Sequence, residues 1–437
     1  MGKNNKRKIT FISTYPPIMC GIASYLKNII EQLPEDTWQV LSFKLRKSKN
    51  FKILPEREKE PNTHYILSRA EPKKAIRKVN RLANGSVVWI QHSFGIWGRD
   101  NSLEFIKFIS EIKGKKIITF HTIHFQSNET PYGLEEIEYK LLENILPLVD
   151  TITVFSDGVY LAVCGAFPDF KDKVVVLRHH CKFYPPVTTK NAKERLIEGL
   201  LSSKRITPKL KRQLENLGKI ISKKNVKLIG DIGFVTPSKG SEVIYLVQEE
   251  LEKKINQKII SMYIGTVRDP TDNEQVSYAK KLKTLHDGKT KFFINLYVPE
   301  RMLSLYLKAF DAIILWPNKC TQSGRLALLQ GAGVCGIGKD MEGIGETMKL
   351  SALPTVKTYG SLINVLARVL TRPDSRNLMI GMARTYARKF RCSLQAKKTL
   401  RLANAIRRRK KRILILDRGY GTYLYETWKE QSLPEWF

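Results

Sequence analysis

Two Rossmann-like α/β domains, each built on a parallel sheet and followed by a basic helical tail, are the fold class this sequence predicts. Three observations carry that reading. Short apolar runs alternate with amphipathic stretches, the pattern of strand–helix–strand units that assemble parallel sheets. The alternation stops at a polar, basic stretch near the middle of the chain and then restarts. The length, 437 residues, suits two domains and an appendage at about 100–200 residues per domain. The expected boundaries are 1–183 for the first domain, 184–224 for a linker with a helical ornament, 225–392 for the second domain and 393–437 for the tail.

In the first half, KITFIST (8–14) reads as a strand. A turn through Pro16-Pro17 and Cys20-Gly21 follows, then a helix from about Ile22. Further strands are VVWIQH (87–92), KIITFH (116–121), TITVFS (151–156) and KVVVLR (173–178). Residues 102–112 and 133–147 carry the three- and four-residue apolar spacing of helices. From Tyr184 to Lys224 the chain turns polar and basic. Strands resume with VKLIGDIGF (226–234), KIISMYIG (258–265), FFINLYV (292–298), DAIILW (311–316) and GVCGIG (333–338). Helices are expected from about Lys239 and over 273–286, 299–309 and 323–331. Beyond Thr371 the sequence reads as basic helix, with thirteen Lys or Arg and no acid from Arg384 to Arg412.

Composition narrows the partners. The chain is 42% hydrophobic, enough for full cores. Its 75 basic and 41 acidic residues give a net charge of +34, which favours a polyanion: a phosphorylated substrate, an anionic membrane face or nucleic acid. No zinc-finger, RNP or helix-turn-helix signature supports nucleic acid, so it is not expected as a partner. Six cysteines lie scattered without C-x-x-C spacing, which fits a reducing compartment. The basic start runs into Tyr15-Pro16-Pro17 without an apolar signal core. The expected location is cytoplasmic, peripheral on the inner face of a membrane.

Strand–loop–helix junctions are the natural places for phosphate, because a helix start offers unpaired N–H groups and partial positive charge. Three junctions have that form. Gly21 opens one and lets backbone approach a ligand. Lys239 lies inside the second, Gly233 to Gly240, where an ammonium reaches a diphosphate as a point charge. Gln322, Ser323 and Gly324 open the third; plain N-capping by Ser323 is the alternative there. His92 and His121 end strands, where α/β sheets place their crevice, and His124 follows. His179 and His180 end the last strand of the first domain. A single histidine is more often a structural hydrogen-bonder. No metal-binding pattern is present, and no cofactor is expected.

In order, STYPPIMCGIASY (13–25), QHSFGIWG (91–98), TFHTIH (119–124), TVFSDG (153–158), VVVLRHH (174–180), GFVTPSKG (233–240), YVPERMLSLYLKAFDAIILWP (297–317) and QSGRLALLQGAG (322–333) resemble retaining nucleotide-sugar glycosyltransferases of the GT-B fold. The likeness is to the family 4-like group related to mannosyl- and glucosyltransferases and spans roughly residues 8–350. The resemblance implies a nucleoside-diphosphate sugar donor held mainly by the second domain in a cleft between the two, and lipid-linked, glycan or small-molecule acceptors. It implies that Gly21 borders the diphosphate, that His121 contacts the transferred sugar, and that Lys239 neutralises phosphate. Ser323 and Gly324 would supply donors at the diphosphate-binding helix. His179 matches the histidine of a common H-G pair whose glycine is His180 here. His121 and Lys239 are thus the expected catalytic residues, with His92, His124, His179 and Gln322 as further cleft candidates.

Three positions depart from the family pattern. Phe234 stands where its G-R loop has arginine, and the two glutamates of its E-x7-E motif fall on Cys320 and Leu328. The first of those glutamates usually touches the donor sugar, the second the ribose. A GT-B-shaped binding or scaffold protein without catalysis is the alternative these departures suggest.

Overall fold

The computed structural model describes residues 8–45, 60–98, 102–408 and 416–419. The chain forms two compact units, one reaching to His180 and resuming at Phe390, the other running from Cys181 to Lys389.

Among the described residues the first unit holds seven strands: β1 (Ile9–Ile12), β2 (Trp38–Phe43), β3 (Thr63–Leu67), β4 (Val87–His92), β5 (Lys116–Phe120), β6 (Thr151–Val154) and β7 (Val174–Val176). They form one parallel sheet in the order β3-β2-β1-β4-β5-β6-β7. Helices cover both faces, so β1, β2 and β4 are buried along their whole length. Period two sends Trp89 to one core with Phe11, Ile29 and Leu402, and Val88 and Ile90 to the other with Phe105 and Phe108.

β2 and β3 were not expected from the sequence. WQVLSF interrupts its apolar run with Gln39 and Ser42, which hides a buried strand. In the fold Gln39 Nε2 donates to Thr10 Oγ1 (2.9 Å) and to the Leu82 carbonyl (2.7 Å), so its amide is satisfied inside.

The second unit holds β8 (Val226–Ile232), β9 (Lys258–Gly265), β10 (Lys291–Asn295), β11 (Ala312–Leu315), β12 (Gly336–Lys339) and β13 (Thr355–Val356). Its sheet is also parallel, in the order β10-β9-β8-β11-β12-β13. The stretch expected as linker and ornament instead contributes two helices to this core. Thr189–Leu201 and Pro208–Ile221 are capped by Thr188 and Thr207 and bury Leu196, Leu200, Leu214 and Leu217. Lys193 Nζ pins the first of them to Asp311 Oδ2 at 2.8 Å.

The expected tail is likewise partly built in. Helix Cys392–Arg407 joins the first unit through Ala396, Leu402 and Ala403. Gln395 Nε2 donates to the Arg178 carbonyl and, at 2.8 Å, to Asp417 Oδ2. The basic residues 409–412, the aromatic end beyond Gly419 and the basic start 1–7 lie outside the described residues.

In each sheet the strand order reverses beside its first strand, between β1 and β4 and between β8 and β11. Open α/β sheets bind ligands beyond the carboxyl ends of strands at such reversals. The geometry therefore directs attention to the loops after these four strands.

Candidate functional site

The second unit concentrates its unusual chemistry at the β8/β11 reversal. After β8 the chain passes Gly233 and Phe234, turns through Pro237–Lys239 and leaves through Gly240 in the left-handed region (φ +54°). A β-carbon at Gly240 would stand 2.2 Å from the Trp316 carbonyl oxygen, so this turn demands glycine on two counts. The loop after β11 is stitched to the turn. Asn318 N donates to the Ser238 carbonyl (2.9 Å) and Asn318 Nδ2 to that of Pro237 (3.1 Å).

Lys239 folds back over its own turn. A β-carbon on Gly233 would stand 2.8 Å from Lys239 Nζ and 3.3 Å from Arg325 Cδ. One bare backbone position thus faces two cationic side chains from different loops. Lys239 Nζ also lies 5.7 Å from the Phe234 ring centre, and Phe234 stacks on Tyr297. Burial draws the Lys239 ammonium down to about 7; proximity to Cys320 opposes the shift and Arg268 adds to it.

Ser323 is the N-cap of helix Gly324–Ala332, its hydroxyl accepting from Leu326 N at 3.2 Å. Gln322 Oε1 turns inward to accept from Ser323 N at 3.0 Å. Arg325, one residue into the helix, is ion-paired with Asp231 of β8. Burial lowers the Arg325 guanidinium to about 10, still charged at neutral pH. Cys320 donates to the Gln322 carbonyl. Burial, then the nearby Glu342 carboxylate, push its thiol up to about 12, so it is neutral. Leu328, the other departure from the E-x7-E pattern, is half-buried against the second core.

The first unit gathers its own cluster at the β1/β4 reversal. Helix Gly21–Ile30 begins after Cys20 with no side-chain cap, and a β-carbon on Gly21 would meet nothing within 4 Å. One turn on, the Tyr25 ring touches those of His121 (5.0 Å), His179 (4.9 Å) and His180 (4.7 Å). Gln91 Oε1 holds His121 Nε2 at 2.7 Å, and His179 Nδ1 donates to the His180 carbonyl at 2.8 Å. Burial pulls His121 well below its usual value, with His179 and His92 adding to the shift, and takes His179 to about 4. Both are neutral polar groups at pH 7.

Two candidate histidines sit apart from that cluster in function. His92, 1% exposed, is packed among Phe94, Phe105 and Phe120, and burial lowers it to about 3. It is a core residue. His124 is buried beside Glu135 and Glu138, with Nδ1 2.7 Å from Glu138 Oε1. These three offer donor atoms within 4.8 Å of one another, an arrangement of metal-ligand type that the sequence pattern did not signal. The two glutamates form the capping box of helix Glu136–Ile145.

Sequence reasoning passed over Tyr25, Asp231 and Glu342 and gave Arg325 no role. Tyr25 was discoverable, being four residues beyond Gly21 and so on the same helix face. Arg325 and Glu342 become visible only once the strand order brings β8, β11 and β12 side by side.

No family model matches this chain, and no curated protein matches it. Solved structures do. A trehalose-6-phosphate synthase, OtsA, superposes with a TM-score of 0.64 at 13% identity, covering 91% of this chain and 99% of that one. A UDP-forming trehalose-phosphate synthase from Burkholderia xenovorans gives 0.64 at 12% identity over 92% and 99%. A trehalose-6-phosphate structure from E. coli bound with UDP-2-fluoro glucose gives 0.63 at 13% identity over 93% and 99%. Identity at this level speaks for architecture alone, and the architecture shared is the GT-B fold that the ordered motifs led us to expect.

Proposed function

We propose that this chain is a glycosyltransferase, of hexosyltransferase type, that moves a sugar from a nucleoside-diphosphate sugar to an acceptor with retention. One observation carries the reading: the Lys239 and Arg325 side chains converge over the bare Cα of Gly233 at the β8/β11 reversal, beside the start of the helix at Gly324. The shared fold supports it, since the similar structures include one bound with UDP-2-fluoro glucose and one of a trehalose-6-phosphate synthase studied for enzymatic glycosyl transfer with retention.

The costly event in such a transfer is departure of the diphosphate as positive charge builds on the sugar. Fixed donors aimed at the departing oxygens lower that cost, and each is worth about 2.7–4 kcal/mol. Lys239 and Arg325 supply charge, and the N–H groups at Gly324 supply dipoles. Ser323 Oγ is engaged as the cap, so its part is to hold the helix start in place. In the first unit Gly21 offers open backbone to a phosphate, and His121, neutral and held by Gln91, offers a hydrogen bond to a sugar hydroxyl. His179 steadies His121 through Tyr25. The reading requires no cofactor beyond the sugar nucleotide.

Thermal shift and calorimetry with UDP, GDP, ADP and their sugars test the proposal. One nucleoside diphosphate and its sugar should bind, and slow hydrolysis of that sugar nucleotide should be measurable. Binding without any turnover would favour the scaffold reading over catalysis.

We further propose an acceptor presented at an anionic membrane face. Among the described residues no helix is long and apolar enough to cross a membrane. Helix Cys392–Arg407 does expose Lys397, Arg401 and Arg407, and a basic residue near such a surface contributes about 1 kcal/mol. Co-sedimentation should be strong with vesicles containing phosphatidylserine or phosphatidylglycerol and weak with phosphatidylcholine alone. Equal binding to both would count against it.

A further inference from the structure

The stretch that reads as polar and basic in the sequence is where the second unit concentrates its charge. From Lys204 to Lys224 the chain carries eight Lys or Arg and one acid, Glu215. That is a net charge of +7 in 21 residues, about a fifth of the whole chain's excess in about a twentieth of its length. All eight cations are exposed, and among the described residues none of them forms an ion pair.

Folding aims this charge in one direction. Helix Pro208–Ile221 turns Leu214, Leu217 and Ile221 into the second unit's core. At 3.6 residues per turn, Lys209, Arg212 and Lys219 share the opposite face with Asn216, along a helix about 21 Å long. Lys223 extends the row just past the helix end. The mounting is tight. A β-carbon on Gly199 would stand 2.1 Å from Tyr306 Oη, so helix Thr189–Leu201 lies directly on helix Glu300–Lys308. Gln213 Oε1 lies 3.2 Å from His286 Nε2, and a β-carbon on Gly288 would stand 1.7 Å from Gln213 Nε2, which fixes helix Pro208–Ile221 to the turn after helix Asn273–Thr284.

The charge works against the helix that carries it. A helix N-terminus favours acids, yet this first turn holds Lys209 and Lys211 and no acid. Lys209 and Arg212, three apart, and Lys219 and Lys223, four apart, are like-charged neighbours that repel. Local stability does not account for such a row, so its use lies in what it meets. The helix exposes no large apolar side chain, which suits contact by charge rather than insertion. No aromatic residue lies between Lys190 and Lys224 to stack on the bases of a nucleic acid. A plane of anionic headgroups asks only for fixed positive charge, about fivefold in binding for each cation that reaches it.

We propose that the hairpin of helices Thr189–Leu201 and Pro208–Ile221 is the face by which the second unit docks on an anionic membrane. This rests on the membrane reading above and deepens it by naming a contact surface.

The experiment is co-sedimentation with phosphatidylcholine vesicles, with and without phosphatidylglycerol. Lys209→Gln/Arg212→Gln/Lys219→Gln should weaken binding to the anionic vesicles by about tenfold or more. Its Tm should be unchanged or higher, because the repulsion is gone, and its nucleoside-diphosphate affinity should stay within about twofold. Lys253→Gln/Lys280→Gln/Lys283→Gln removes the same charge from exposed positions elsewhere in the second unit and should cost less than about threefold. Wild-type vesicle binding by the first variant overturns the inference. So does an equal loss in both variants, which would mean that binding follows net charge alone. Displacement of the wild-type chain from vesicles by an RNA oligonucleotide, through a contact that the first variant loses, assigns the row to nucleic acid and overturns it too. A wild-type chain that binds both kinds of vesicle equally overturns the membrane reading itself, and is recognised before any variant is made.

Discussion

The proposed reaction asks Lys239 to be charged so that it can hold a phosphate, yet its surroundings favour the neutral amine. With a free value near 7 it is about half protonated at neutral pH, and a bound diphosphate restores its charge. Affinity for the diphosphate should therefore fall as pH rises above 7, by up to about tenfold per unit, with proton uptake on binding. Calorimetry from pH 6 to 9 in buffers of different ionisation enthalpy reads both, and a flat profile removes Lys239 from the site. Lys239→Ala should lower turnover at least tenfold, about 1.4 kcal/mol; unchanged turnover has the same meaning. His92 makes the opposite kind of prediction. Neutral in the fold down to about 3, it takes up a proton on unfolding below about 6.5. Its share of stability is intact above 6.5 and is lost as pH falls, about 2 kcal/mol by pH 5. Urea unfolding at pH 7 and 5 should show His92→Leu less acid-sensitive than the parent. The strand end that made His92 attractive in the sequence did not give its direction, although parity did: it shares a face with Val88 and Ile90, which are core. Gln91, on the other face, is the residue that reaches His121.

At the level of single elements, helix starts sort into those that use their side chains and those that leave backbone open. Ser323 belongs to the first kind, because its hydroxyl is committed to Leu326 N. Ser323→Ala should cost about 0.5–2 kcal/mol of stability and leave nucleoside-diphosphate affinity within threefold. A large affinity loss without a stability loss would mean that the hydroxyl serves the ligand instead. Most elements were legible because apolar runs bounded by turn residues coincide with buried parallel strands; β4, β5, β8 and β9 fall within a residue or two of expectation. β2 was illegible because Gln39 and Ser42 break the run, and β13 because two residues carry no periodicity. The three strand–loop–helix junctions were legible from glycine and lysine placement. What each junction faces was not, because Arg325 meets Asp231 through strand order, a property that no local window contains.

For the molecule as a whole, charge and connectivity matter most. A net charge of +34 supports long-range attraction to anionic surfaces, which salt screens over roughly 8–10 Å, so the vesicle binding proposed above should weaken steeply with added salt. The first unit also depends on residues distant in sequence. Leu402 is buried in the core built by Phe11, Tyr25 and Trp89, and Arg178, itself buried, is held by Asp157, Gln395 and Asp417. Leu402→Ala should cost about 2–5 kcal/mol, read by urea unfolding of the intact chain. A loss below about 1 kcal/mol would show that this helix only rests on the surface.

The return of the chain to its first unit also sets an order of birth. As synthesis proceeds from the amino end, the portion from Cys181 to Lys389 emerges whole, with all six of its strands, before the helix that seals the earlier portion exists. Until that helix leaves the ribosome, Phe11, Tyr25 and Trp89 have lost a covering layer, and the Arg178 backbone N–H and carbonyl wait for Asp417 and Gln395. The later-made half is thus the first that can be finished. A stalled or truncated product ending near Lys389 would pair one complete half with one that displays aromatic surface, the kind of species that chaperones retain.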